Sequence, residues 1–259
     1  MINENGIIEL QHKTDSGLGA RAHIGIIVLR TDQTLEHEFR TLLNLEGVAL
    51  YHSRIANEME VTKEMLAKME AELPIAAALL PVSFNFDVIG YGCTSGATII
   101  GEEQVEKAIQ VSHPEIPTSN PLTACKAALS ALGIKRIAFL TPYESGITTM
   151  MRDNLLESGF EVSSTGSFFE SDDFVVGRIS AESILESIEK VGTRDDCEGV
   201  FVSCTNLRVT SIISVAEDKL GKPVTSSNHA LAWHLLRLAG IQDCPENAGR
   251  LFQKQLKVK

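Results

Sequence analysis

One pattern occurs twice in this chain, and it leaves few folds open. VIGYGCTSG around Cys93 and GVFVSCTNL around Cys204 each run an apolar stretch into a small residue, then Cys-Thr, then polar residues able to open a helix. The echo extends to either side. PTSNPLTA at 117–124 matches PVTSSNHALA at 223–232, and the apolar segment at Ile24 matches that at Ile137. The offsets are 111 between the cysteines, 108 between Asn120 and Asn228, and 113 between Ile24 and Ile137. Three landmarks in one order at nearly one spacing imply two half-molecules of common plan. They would face each other across a cleft, each bringing one cysteine to it.

Between the landmarks, short apolar runs alternate with helical periodicity. Strands are expected at Ile24–Leu29, Gly47–Tyr51 and Asp87–Tyr91, then at Arg136–Leu140, Glu161–Thr165, Gly199–Ser203 and Pro223–Thr225. Helices are expected at Thr34–Leu45, Glu102–Gln110, Leu122–Leu132, Gly146–Glu157, Thr210–Leu220 and Ala230–Leu238. A further helix, Val61–Leu80, has Met65, Met69 and Leu73 on one face and Pro74 to kink or break it, and another runs from a Ser180 cap through Ile184, Ile188 and Val191 to Gly192. Strand–helix units of this kind build a parallel sheet covered on both faces. The expected fold is α/β, two pseudo-symmetric lobes with a sheet of about four strands each and the site between them. Residues 1–20 would be an arm, 21–117 with 228–259 one lobe, and 118–227 the other.

Composition narrows the function. A net charge of -11 lacks the basic footprint of a nucleic-acid binder, so any acid that binds needs local donors. No stretch approaches the ~20 apolar residues of a membrane span, and the N-terminus does not read as a signal peptide. Five irregularly spaced cysteines suggest free thiols in a reducing compartment, hence the cytoplasm. There is no C-x-x-C, H-E-x-x-H, G-x-G-x-x-G or P-loop, so neither a metal nor a nucleotide cofactor is expected.

A thiol at a strand end opening a helix meets unpaired amides and the positive end of the helix dipole, an environment that favours thiolate. Thr94 and Ser95 follow one sulfur, and Thr205 and Asn206 the other; their hydroxyls and turn amides suit a carboxylate. Two such thiols on opposite faces of a substrate suit one reaction class. One takes a proton from a carbon beside a carboxylate and the other returns one to the opposite face. Alternatively, a thiolate adds to a carbon–carbon double bond and leaves after rotation. Cys125, Cys197 and Cys244 lack this symmetry and read as packing residues.

With these motifs the chain resembles the Asp/Glu racemase superfamily, in its maleate isomerase and arylmalonate decarboxylase branch. IVLRTDQTLEHEFR, YHSRI, GYGCTSGATIIGE, NPLTA, TPYE, VGRI, FVSCTNLR and SSNHALAWHLLRLAG are similar to the racemase-like proteins of ectoine-utilisation clusters. The resemblance implies Rossmann-like lobes, no metal or nucleotide, a homodimer or higher homo-oligomer, and a small carboxylate as substrate. It implies Cys93 as nucleophile, Cys204 as acid/base and Tyr143 near the substrate. Maleate isomerases tend to carry asparagine where this chain has Arg30-Thr31-Asp32 and Asp172-Asp173. Asp32 could hold an ammonium group or cap the following helix. Asn120 and Asn228 could orient substrate or cap helices, and His229 could assist proton transfer. Arylmalonate decarboxylases keep only the second cysteine, which argues against decarboxylation here. A decarboxylase using Cys204 alone and a non-catalytic small-acid binding protein are the alternatives.

Overall fold

The computed structural model describes residues 6–58 and 63–257, with side chains described outside 63–67. The first half runs β1 (Ala22–Leu29), α1 (Leu35–Leu42), β2 (Val48–Ile55), α2 (Lys63–Ala78), β3 (Val88–Gly92), α3 (Thr94–Ile100), α4 (Glu102–Gln110) and β4 (Thr118–Ser119). The second runs α5 (Pro121–Leu132), β5 (Arg136–Thr141), α6 (Ser145–Glu157), β6 (Glu161–Ser167), α7 (Asp173–Val176), α8 (Ala181–Gly192), β7 (Gly199–Val202), α9 (Ile213–Leu220) and β8 (Val224–Ser226). The chain closes with α10 (Ser227–Leu238) and α11 (Gly249–Phe252). Two four-stranded sheets result, ordered β2-β1-β3-β4 and β6-β5-β7-β8, and every pairing is parallel.

The central strands are apolar almost throughout because helices cover both their faces. From Ile24 to Leu29 every residue of β1 is buried, as is all of β3 and β7. Ile24 pairs with Val88 and Ile137 with Gly199, and each cysteine lies five residues beyond that paired position. The sheets thus carry the repeat in register. Helix α10 follows the second sheet in sequence yet packs on β3 and α1 of the first half as well as on α5. Gly90 permits that approach, since a Cβ there would meet Ile26 Cδ1 at 2.8 Å and Leu235 Cδ1 at 3.0 Å.

Several expectations need correction. The 108-residue match of Asn120 with Asn228 is not a structural equivalence. Ile89 donates its amide to the Pro117 carbonyl and Val200 donates to that of Pro223, both at 3.0 Å. This aligns Asn120, the N-cap of α5, with Ser226, the N-cap of α10. TSGATII forms a helix of its own, α3, ahead of α4, and Thr118–Ser119 is a strand that pairs with β3, so the first sheet extends past the expected boundary at 117/118. Pro74 does not break α2, which continues to Ala78. Val61, at the expected start of that helix, lies outside the described residues, as do Met65's side chain and residues 1–5 of the expected arm.

Candidate active site

Cys93 directly follows β3 and is the N-cap of α3. The Gly96 amide donates to its Sγ at 3.2 Å, and the Ser95 hydroxyl lies 3.6 Å from it. Gly96 is required, since a Cβ would meet the Tyr91 hydroxyl at 2.4 Å and Cys93 Sγ at 2.9 Å.

Cys204 lies two residues beyond β7, in the equivalent place by register but in a different conformation. Its φ is 138°, a region that L-residues other than glycine rarely occupy. The Asn206 amide donates to its Sγ at 3.4 Å, and the Cys204 amide donates to Ser227 Oγ at 3.0 Å. Ser227 Oγ in turn lies 2.7 Å from Thr94 Oγ1, and Thr205 Oγ1 donates to the Gly92 carbonyl at 3.4 Å. The two cysteine turns are therefore cross-linked by hydroxyls.

Tyr143 is buried two residues beyond β5, and its hydroxyl is influenced by both thiols, Cys204 the more strongly. Asp173, at the start of α7, is buried and acts electrostatically on Cys93, Cys204 and Tyr143. Thr31 Oγ1 donates to its carboxylate at 2.5 Å. Asp32 does cap α1, with Oδ1 accepting from the Thr34 and Leu35 amides at 2.8 and 2.7 Å. Its second oxygen, Oδ2, is buried without a hydrogen-bond partner.

Burial overturns the thiolate expectation. It pushes the Cys93 thiol up to about 11, against the pull of the Ser95 hydroxyl and the Gly96 amide, with Asp173 raising it further. Cys204 is also raised by burial, and then by Asp173 and Asp32 together, despite its bond from Tyr143. Burial likewise lifts Asp32 to about 6 and raises Asp173. Burial therefore favours the protonated form of both thiols.

The other expected residues divide. Thr94, Ser95 and Thr205 lie in the cysteine turns. Asn206 does too, but its side chain is committed elsewhere, with Oδ1 accepting from the Gln33 amide at 2.9 Å and Nδ2 donating to the Asp173 carbonyl at 2.7 Å. It ties the loop after β1 to the start of α7. Asn228 donates from Nδ2 to Glu38 Oε2 at 2.8 Å and to the Thr205 carbonyl at 2.7 Å. Asn120 caps α5 through the Leu122 and Thr123 amides, both at 3.0 Å, and has no bond to either cysteine turn. His229 is held between Thr225 Oγ1 and the Ala248 carbonyl at 3.0 and 2.7 Å, and burial lowers it to about 4. Arg30 turns away to the Asn57 carbonyl and Glu58.

Sequence reasoning missed Glu38. This buried carboxylate accepts from the Val209 and Thr210 amides, both at 2.7 Å, and from Asn228. It straps α1 to the segment that follows Cys204. Its cue was an acid on the inner face of an amphipathic helix, beside Leu35, Phe39 and Leu42.

Among the described residues, no cluster of three or more His, Cys, Asp or Glu side chains could hold a metal ion, and no helix is long and apolar enough to cross a membrane.

The model of the arylmalonate decarboxylase family matches residues 100–252, more than half of the chain. Maleate isomerase of Alcaligenes faecalis is 26% identical over 88% of this chain and 95% of its own length. That of Geobacillus stearothermophilus is 27% identical over 88% and 96%. Among solved structures, a cysteine variant of the maleate isomerase Iso from Pseudomonas putida S16, in complex with maleate, superposes with a TM-score of 0.82 at 25% identity, covering 89% of this chain and 97% of that one.

Proposed function

Because the chain belongs to the arylmalonate decarboxylase family, we propose that it is an isomerase of a small carboxylic acid, with Cys93 and Cys204 carrying the chemistry and no bound cofactor. One observation carries the reading. The two thiols stand at equivalent positions beyond the central strands of two sheets of the same plan, with one tyrosine and one aspartate interacting with both. The relatives named maleate isomerase agree with it.

Each sulfur has its own donors for the charged state. Ser95 and the Gly96 amide face Cys93, while Tyr143 and the Asn206 amide face Cys204. Asp173 ranks higher among the causes that raise Cys204, where Asp32 adds to it, and Cys93 is raised less, so we assign Cys93 as the thiol that ionises and Cys204 as the one that holds its proton. In the addition route, Cys93 sulfur bonds to one alkene carbon and Cys204 protonates the other. Rotation follows, the proton returns to Cys204 and the carbon–sulfur bond breaks. In the proton-transfer route, Cys93 takes the hydrogen from the carbon beside the carboxylate and Cys204 gives its own to the opposite face. Thr94, Ser95, Tyr143, Thr205 and Asp32 line or support the substrate in either route. Asn206 and Asn228 hold the turn that carries Cys204, while Asn120 acts as a helix cap.

The test is proton NMR in D₂O with aspartate, 2,4-diaminobutyrate and its acetylated forms, maleate, aryl malonates and hydantoins. Loss of a Cα proton signal, or conversion of maleate to fumarate, is the expected result. The family's name favours a second reading, decarboxylation through Cys204 alone. Carbon dioxide release that survives Cys93→Ala would establish it and end the first.

A further inference from the structure

The acidity of this site is at odds with a substrate that is only an anion. Asp32 and Asp173 are 5% exposed each, and both act on Cys204. Among the described side chains, neither is paired with Lys, Arg or His. The guanidinium groups of Arg54 and Arg178, on neighbouring segments, have other partners. Arg54 donates to the carbonyls of Leu29, Arg30 and Asp32 and pairs with Glu36. Arg178 packs on the Phe174 ring and donates to the Phe174 carbonyl and Gln33.

A buried carboxylate oxygen with no partner is costly unless something arrives to pair with it. Asp32 Oδ2 is such an oxygen; beyond the capping amides only the Thr205 hydroxyl, next in sequence to Cys204, acts on its carboxylate, and its charge is felt at the Cys204 thiol. Its neighbour Asp173 repels it, so the two carboxylates together raise the demand for a cation. A dianion would add to this charge, whereas an ammonium group would neutralise it.

We propose that Asp32 and Asp173 form the cation-binding half of the substrate site, and that the substrate is a small carboxylic acid carrying an ammonium group. This rests on the isomerase reading above and specifies its substrate class. The ammonium donates to Asp32 Oδ2 and to the Asp173 carboxylate, and the substrate carboxylate faces the hydroxyls and turn amides at Cys93. Docking then does two things at once. It satisfies the orphaned oxygen, and it offsets the upward push that Asp173 and Asp32 add to the larger effect of burial, so that Cys93 releases its proton to solvent and thiolate forms with substrate in place. For a substrate whose reacting carbon is saturated, the proton leaves that carbon for one sulfur and its electron pair spreads into the carboxylate. The proton of the other sulfur then forms the new carbon–hydrogen bond on the opposite face, with no net oxidation.

Calorimetry with two matched pairs tests this: aspartate against succinate for an ammonium next to the carboxylate, and 4-aminobutyrate against butyrate for a distant one. The proteins are the wild type, Asp32→Asn and Asp173→Asn. Asparagine preserves the helix cap of Asp32 and removes only the charge, and circular dichroism checks that each variant is folded. At least one ammonium-bearing acid should bind wild type tenfold or more tightly than its partner, and that preference should collapse in both variants, with succinate gaining. No preference in either pair, or a preference that both variants keep, overturns the proposal. Binding is read without turnover, so this failure is separate from failure of the isomerase reading, which Cys93→Ser and Cys204→Ser decide by activity.

Discussion

The two cysteine turns begin from the same strand register and end in different physics. Cys93 opens directly onto α3, with φ of −148°, and its sulfur serves as the helix cap. Cys204 has φ of 138°, and no helix follows until a 3₁₀ turn at Thr210–Ile212 and then α9. Its conformation is held by contacts from outside the turn, including Ser227, Asn228 and the Glu38 strap. The first turn is built by local sequence, and the second by tertiary contacts. A duplicated motif can thus keep a functional atom in place while the means of holding it diverge.

The largest effect that tests this comparison is chemical. Cys93→Ser and Cys204→Ser should each lower isomerisation at least a thousandfold, about 4 kcal/mol in barrier. With alkylation mapped residue by residue by mass spectrometry, since exposed Cys244 also reacts, Cys93 in Cys204→Ser should react with iodoacetamide faster than Cys204 does in Cys93→Ser. Equal activity losses with equal thiol reactivity would remove the proposed division of roles. Next is the strap. Glu38→Ala strands the Val209 and Thr210 amides and Asn228 Nδ2, and should cost about 3 kcal/mol in urea unfolding. Activity in the folded fraction should fall through the Cys204 turn alone, read as slower alkylation of Cys204 with Cys93 unchanged. An equal change at both thiols would mean that the strap is not specific to the second turn.

Asp32 gives a smaller effect of opposite sign. Its folded value of about 6 lies above its ordinary 3.8, so its contribution to stability is fully present below 3.8 and is lost as pH rises through about 6. Above that, the buried charge costs roughly 3 kcal/mol. Asp32→Asn should therefore be more stable than wild type at pH 8, with a gap that shrinks toward pH 4. A gap independent of pH would show that Asp32 is not a strained buried charge. A residue that costs stability at neutral pH and is still present fits a binding role better than a capping one, because asparagine caps as well.

How far these features could be read in the sequence follows the same division. The apolar runs of β1, β3, β5 and β7 are buried on both faces, so their composition alone marks them, and the repeat places both cysteines correctly. Helix α3 was not legible because its seven residues, TSGATII, mix small and β-branched types within two turns. Strand β4 escaped because two residues carry no alternation. The protonated state of the thiols was not legible either. Motif chemistry points to amides and a dipole, whereas burial depends on what the rest of the chain lays over the turn. Glu38 and Asn206 were missed or misread for the same reason, since their partners lie more than 170 residues away for Glu38 and at Gln33 for Asn206.

The smallest effect tests the repeat itself. If the structural offset of 106 relating Pro117 to Pro223 is right, Asn120 and Ser226 are counterparts, both capping helices and neither bonded to a thiol. Asn120 Oδ1 accepts two amides at 3.0 Å, whereas Ser226 Oγ accepts one, from His229, at 3.3 Å. Asn120→Ala should then cost about 1 kcal/mol in thermal or urea unfolding and Ser226→Ala somewhat less, with KM and kcat unchanged in both. Asn228→Ala should behave otherwise, because it frees the Thr205 carbonyl and one Glu38 oxygen next to Cys204. Were Asn120→Ala to reduce kcat as Asn228→Ala does, the sequence match of the two asparagines would reflect a shared role after all. The divergence of the two turns would then be confined to the backbone at Cys204.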